Sequence, residues 1–195
     1  MRKIPTIYIR DENDMRYVSR VPNPAASWVF DDPTAVATRK YDGTCVMLDV
    51  DGCWWARREV KPGKSAPPNF VPCESDSITG KTMGWEPIEQ SGFAKHHQDA
   101  LDRRLEAASI RGLGPPLDTP GTYELIGPKI NGNPERETCH RLIEHARAET
   151  MYDVPTDFDG LRSEVQAWPY EGIVWHHPDG RMAKIKKRDF REPPR

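Results

Sequence analysis

The sequence predicts an α+β fold of antiparallel strands with helices between them. Three observations carry that expectation: strand-like runs gather in residues 35–58, a second strand pair closes the chain around Asp179-Gly180, and helical stretches separate the two. With 195 residues, 36% hydrophobic and 30% charged, the chain suits one domain spanning 1–195 with a real core.

Residues 1–30 are mixed, with Pro22 and Pro24 marking a loop. "AVATRKY" and "CVMLDV" alternate as strands around Asp42-Gly43, the commonest hairpin signal, and a turn at Asp51-Gly52 leads into "CWWARR". Residues 61–87 are rich in Pro, Gly and Ser and read as one long loop, whose "ITGK" lacks the rest of a phosphate-binding P-loop. A helix runs from Phe93 to about Ile110, with Ala100, Leu101, Leu105 and Ala108 on its apolar face, and ends before Gly112 and Gly114. "GTYELIGPKINGN" is strand-like, then glycine-punctuated. A second helix is expected from Pro134 to about Thr150 behind an Asn133 cap, and a third from Asp157 to Trp168 capped by Thr156. If Asp179 and Gly180 form a two-residue turn, Trp175 faces Lys184 and Ile173 faces Lys186, so Glu171, Ile173, Trp175, Lys184 and Lys186 share one face.

A formal net charge of −2 and a pI near 6.3 exclude a chain that coats nucleic acid through overall charge. Nucleic-acid contact must be local, and residues 181–191, with six basic side chains against Asp189, are one candidate, alongside the reading of a solvated tail. Cys45, Cys53, Cys73 and Cys139 form no Cys-x-x-Cys pair, which argues against structural zinc, and Cys45 and Cys53 are expected in the core. His96, His97, His176 and His177 lack a partner pattern and are expected at the surface, whereas His140 and His145, five apart on the second helix, do not place two ligands on one face. No apolar leader or spanning run is present, so a soluble, reducing, cytoplasmic setting is expected.

The chemistry concentrates in a few residues. Lys40 precedes Asp42-Gly43, Glu124 lies in "YELIG", Glu171 in "EGIV", and Lys184 and Lys186 in "KIK". A lysine attacks only when neutral, and its ordinary pKa near 10.4 keeps it charged at pH 7. Burial and neighbouring cations would lower that value, Lys184 and Lys186 supplying the cations. Glu171 could hold Mg²⁺ beside phosphates through its oxygens, and as a surface-type acid its replacement would leave the melting temperature almost unmoved. Glu124 and Glu171 also admit the plainer reading of solvated strand ends.

"KYDG", "YELIG", "EGIV" and "KIK", in that order, resemble the covalent nucleotidyltransferases: ATP-dependent DNA ligases, RNA ligases and mRNA capping enzymes. "KYDGTC", "ARREVKP", "ITGKTMGWEP", "YELIGPKINGNPE" and "EGIVWHHPDG" look most like a small stand-alone RNA ligase group, also found in vertebrates, that joins 5′-phosphate to 3′-hydroxyl ends. The resemblance covers about Ala35 to Lys187. It implies an ATP-grasp-like adenylation domain whose antiparallel sheets form a nucleotide cleft. The cofactors implied are ATP and Mg²⁺, for which Mn²⁺ can substitute, and the partner is RNA.

Residue by residue, the resemblance implies that Lys40 carries AMP and that Asp42 and Gly43 shape its loop. Arg57 or Arg58, with Arg57 preferred, would bind the nucleotide or the RNA 5′-phosphate. Glu124 would accept from the ribose, Ile173 or Val174 would pack on adenine, Lys184 and Lys186 would contact the α-phosphate, and Glu171 would serve the metal. For the family's aromatic stacker only Tyr152 and Phe158 offer themselves, and core packing is the better reading of each. The chain ends eleven residues after Lys184, so no OB domain is expected, which weighs against a DNA ligase or guanylyltransferase. A degenerate nucleotide- or RNA-binding module is the non-enzymatic alternative.

Overall fold

The computed structural model describes residues 3–77, 79–112 and 118–191; Ile78 and Gly114, expected in a loop and at a helix end, lie outside them. In chain order the strands are β1 (Tyr8–Asp11), β2 (Asp14–Pro22), β3 (Val36–Lys40), β4 (Thr44–Leu48), β5 (Trp54–Val60), β6 (Val71–Ser75), β7 (Thr82–Pro87), β8 (Gly121–Ile126), β9 (Arg141–Glu144), β10 (Gly172–His176) and β11 (Met182–Lys186). The helices are α1 (Trp28–Asp31), α2 (Ala94–Ile110) and α3 (Phe158–Ala167). All strand ladders are antiparallel and the class is α+β. The chain divides into two compact units: Asp42–Arg147 with Met1–Lys3, and Ile4–Tyr41 with Ala148–Arg195.

The second unit is built on a three-stranded sheet, ordered β11-β10-β3, beside the β1-β2 hairpin. Side chains alternate along a strand, so β10 and β11 turn Ile173, Trp175, Ala183 and Ile185 into one core with Tyr8, Trp28 and Phe190. Helix α3 adds Leu161 and Val165, four residues apart on one face. Its cap is Asp157, whose carboxylate accepts from the Gly160 amide at 2.8 Å, rather than the expected Thr156. Phe158 packs edge-on to Tyr8, 5.1 Å between centroids, whereas Tyr152 is exposed.

The β10-β11 register differs from expectation by one residue. The turn is a three-residue loop, Pro178-Asp179-Gly180, with Gly180 at φ 89° and the His177 amide bonded to the Arg181 carbonyl at 2.9 Å. Val174 therefore faces Lys184 and Gly172 faces Lys186. A slip of one flips every side chain, so Ile173 and Trp175 leave the lysines' face and enter the core.

The first unit carries a six-stranded sheet ordered β6-β7-β5-β4-β8-β9. Val46, Leu48, Ala56, Tyr123 and Leu125 form its core on one face, with Ala100 of α2 against them. Helix α2 buries only His97 and Ala100, and Leu105, expected on the apolar face, is 52% exposed. His97 is thus no surface residue: it packs edge-on to Trp54, and burial pushes its pKa down to about 4. Cys45 is buried as expected, but Cys53 is exposed beside the Asp51-Gly52 turn.

Three further expectations fail here for local reasons. Residues 71–75 and 82–87 are strands, because Pro72 sits on the edge strand β6, where proline's missing donor costs little. Residues 134–150 are not a helix: Asn131, Asn133 and Arg136 all take positive φ, and Asn133 instead brackets a turn by bonding Glu137 through both side-chain amide atoms. Beyond that turn the chain enters β9, which pairs with β8 and ends just before His145. Asp42-Gly43 does not close a hairpin either, since β3 pairs with β10 whereas β4 pairs with β5 and β8.

Candidate functional site

Two groups of the expected residues form, one in each unit. In the second unit Lys40 ends β3, and the ladder sets Lys40, Gly172 and Lys186 directly opposite one another across three strands. The two lysines flank a residue with no side chain. A Cβ on Gly172 would lie 2.1 Å from the Ile185 carbonyl oxygen, so only glycine fits. Glu171, the residue before β10, reaches both lysines: its Oε2 is 2.6 Å from Lys40 Nζ and its Oε1 is 2.5 Å from Lys186 Nζ. Arg188 adds a guanidinium 3.8 Å from the same Oε1.

Burial alone would push the Glu171 carboxyl up, but the Lys40 and Lys186 ammoniums outweigh it and hold the group ionised, below the usual range. Lys184 is lowered as well, which for an ammonium favours the neutral form. Burial first, then the Lys186 and Lys40 charges, pushes it down to about 8. Val174, opposite Lys184, is on the lysines' face, and Ile173 is fully buried on the other. The Arg39 guanidinium is held between Tyr41 and Tyr170, 4.3 and 4.0 Å from their ring centroids, tying together the residues next to Lys40 and Glu171. Most of the 181–191 basic cluster is engaged locally: Arg181 pairs with Asp179, Arg191 with Asp11, and Lys187 donates to the Trp168 carbonyl.

In the first unit Gly43 approaches β8 so closely that a Cβ would meet the Leu125 carbonyl oxygen at 2.3 Å. That approach lets the Gly43 amide donate to Glu124 Oε1 at 3.0 Å. The loop is further pinned by Glu135, which accepts from the Asp42 amide at 2.8 Å, and by Asn131, which donates to the Gly43 carbonyl at 2.7 Å. Glu124 Oε2 lies 3.0 Å from His145 Nε2, and His145 Nδ1 lies 2.9 Å from Thr122 Oγ1. With Nε2 donating to the carboxylate, the Thr122 hydroxyl can serve Nδ1, so the three side chains fix the Glu124 carboxylate in one orientation.

Glu124 pairs with Cys45 across β8 and β4, and one step past the Val46–Ala56 pair Cys45 stands opposite Arg57. Glu124 and Arg57 therefore share a sheet face, and the Arg57 Nε is buried with no hydrogen-bond partner among the described residues. Arg58 points to the opposite face, its Nη1 3.9 Å from Glu86. His145, Asn131 and Glu135 escaped sequence reasoning because a wrongly assigned helix spanned two of them, and "RLIEH" carries no strand alternation that would have marked β9.

No protein-family model matches the chain. It is similar to vertebrate proteins named RNA ligase 1. That of Pongo abelii is 25% identical over 224 residues, covering 79% of this chain and 66% of the relative. That of Danio rerio is 24% identical over 263 residues, covering 95% and 79%. That of Mus musculus is 28% identical over 220 residues, covering 78% and 66%. The chain thus spans about two thirds of the length of the Pongo and mouse proteins it matches.

Proposed function

We propose that this chain is an ATP-dependent RNA ligase, with an ATP-grasp-like adenylation fold, that seals 5′-phosphate to 3′-hydroxyl ends through a Lys40-AMP intermediate. The single observation behind the reading is the Lys40–Gly172–Lys186 row with Glu171 bridging both ammoniums. In the first step the Lys40 ammonium gives up a proton to solvent, its neutral Nζ bonds to the α-phosphorus, the bond to the β-bridging oxygen breaks, pyrophosphate leaves with the electron pair, and a second amine proton goes to solvent. Next an RNA 5′-phosphate oxygen attacks that phosphorus and Lys40 leaves, regaining a proton. Finally a 3′-hydroxyl oxygen bonds to the RNA 5′-phosphorus, its proton goes to solvent, the bond to the oxygen bridging to AMP breaks, and AMP departs with the electron pair.

Lys40, Lys184, Lys186 and Arg188 outnumber Glu171, an excess of positive charge that suits a polyphosphate. Among the described residues no group of three His, Cys, Asp or Glu side chains could cage a metal. A divalent cation would rest on Glu171 together with phosphate oxygens and water, as Mg²⁺ commonly does, Mn²⁺ being the substitute. Bound there, it would offset charge developing on the leaving pyrophosphate. Asp42 and Gly43 hold the loop after the nucleophile. Arg57 offers its buried Nε to an anion, Glu124 accepts from the ribose, and Val174 rather than Ile173 is free to pack on adenine.

The test is incubation with α-labelled ATP or GTP followed by denaturation. Retention of ATP label and far less GTP label is expected; a GTP preference makes the protein a guanylyltransferase and sinks the reading. Sealing of a 5′-phosphorylated RNA hairpin with an open loop is expected to outpace sealing of a nicked DNA duplex at matched salt. Faster sealing of the DNA nick would overturn the RNA assignment and leave the lysine chemistry standing.

Lys184 gives the reading a pH signature. Its pKa near 8 leaves it charged at pH 7 and neutral above that value. A phosphate beside it favours the charged form, so ATP binding takes up a proton at higher pH and weakens as pH rises through about 8. Lys184→Arg stays charged. ATP affinity measured from pH 7 to 9 is expected to fall in the parent and stay flat in the variant; parallel curves refute the contact.

A further inference from the structure

We propose that the turn at Lys61-Pro62-Gly63-Lys64, together with Arg58, is a binding site for internal phosphodiesters of an RNA strand; this rests on the RNA ligase reading. The turn follows from its sequence. Proline presets the second position, glycine supplies the positive φ of the third, here 73°, and the Lys64 amide closes the turn on the Lys61 carbonyl at 3.0 Å. A type II turn brings its first and last residues within about 7 Å at Cα, so "KPGK" brings two lysines close together, and both line the same hollow. The turn is also anchored. Pro62 packs over Gly80, where a Cβ would already be 3.0 Å from the proline ring.

Beside the turn lies a hollow of about 170 Å³, lined by Arg58, Lys61, Lys64 and Ser65 over Val60 and Pro67. Its size decides what it takes. Pockets for drug- or nucleotide-sized ligands run to roughly 300–1,000 Å³, whereas this smaller hollow suits a phosphate group of a chain running past. Its charge is cationic as well. The one acid in the lining, Glu59, is already paired with Lys81 at 3.0 Å, and among the described residues neither Lys61 nor Lys64 enters an ion pair. Arg58 is 54% exposed and only distantly held by Glu86. Because Arg58 and Arg57 point to opposite faces of β5, this site is separate from the anion position at Arg57. In a chain of net charge −2, with the 181–191 cluster largely paired locally, the turn and Arg58 form an open cationic patch.

The experiment is binding of a single-stranded RNA oligonucleotide to the full chain and to its Lys61→Gln/Lys64→Gln variant across a salt series. Each phosphate contact to a single strand contributes about 0.7 to the slope of log affinity on log salt. Losing two contacts should lower that slope by about 1.4 and weaken binding roughly 10- to 30-fold near 0.1 M salt. Lys61→Arg/Lys64→Arg should restore both, and ATP labelling of Lys40 should be unchanged in either variant. The oligonucleotide is offered with a 5′-phosphate and with a 5′-hydroxyl. Equal loss on both supports the assignment; loss confined to the 5′-phosphorylated RNA would mean a terminal-phosphate site and overturn it. Unchanged affinity and slope, or a loss of ATP labelling, would overturn it too. A parent protein that binds RNA in this way yet takes no label from ATP refutes the ligase reading alone.

Discussion

Lys40→Arg loses all protein-bound label after incubation with α-labelled ATP, while its fold persists. The nucleophile must offer a lone pair, and an arginine side chain stays protonated at any pH the protein survives. The structural cost is small. Arginine keeps the positive charge that faces Glu171, and Lys40 stands at the end of β3 with its side chain 18% exposed. A stability change of no more than about 1 kcal/mol is expected, in the range of substitutions that preserve partners. The readouts are label on the denatured protein and the melting temperature. Label surviving in a folded Lys40→Arg would assign the covalent chemistry to another residue and overturn the proposal.

The motifs were legible because each short string holds its own geometry. Gly172 stands between Lys40 and Lys186 with no space for a Cβ, and Gly43 lies against β8 in the same way. The glycines of "EGIV" and "KYDG" are therefore required by close approach, and the hairpin reading of Asp42-Gly43 failed because the chain passes there from one sheet to another. The register of the last hairpin was not legible, since Asp179-Gly180 suits a two-residue turn and also the end of a three-residue loop with Gly180 at positive φ. That choice moved Ile173 into the core and left Val174 beside the lysines. Residues 134–150 misled for a related reason. Asn133-Pro134 is a good helix start, but Arg136 takes positive φ and the hydrogen bonds that would propagate a helix go to Asn133 instead. His145, the partner of Glu124, could not be found until β9 was paired with β8.

Glu171→Gln separates the two roles that the structure gives one carboxylate. The expectation of an unmoved melting temperature does not survive the geometry, because the Glu171 side chain is 9% exposed and bridges two ammoniums. The amide keeps shape and hydrogen bonding but leaves Lys40 and Lys186 facing each other without an anion. Removing one partner of a fully buried pair costs roughly 3–5 kcal/mol. Lys40 and Lys186 retain 18% and 15% exposure, so water screens part of that, and a loss of about 1–3 kcal/mol is expected, read as a melting temperature lower by several degrees. Activity, measured well below that temperature, should fall by two orders of magnitude or more, since a neutral amide gives a hard cation little to hold and the charge facing the reacting phosphate is no longer balanced. The metal titration distinguishes the roles. If Glu171 serves the cation, the variant needs far more Mg²⁺ for half-maximal labelling. A lower melting temperature with an unchanged Mg²⁺ requirement and rate would make Glu171 a structural counter-ion of Lys40 and Lys186 and nothing more.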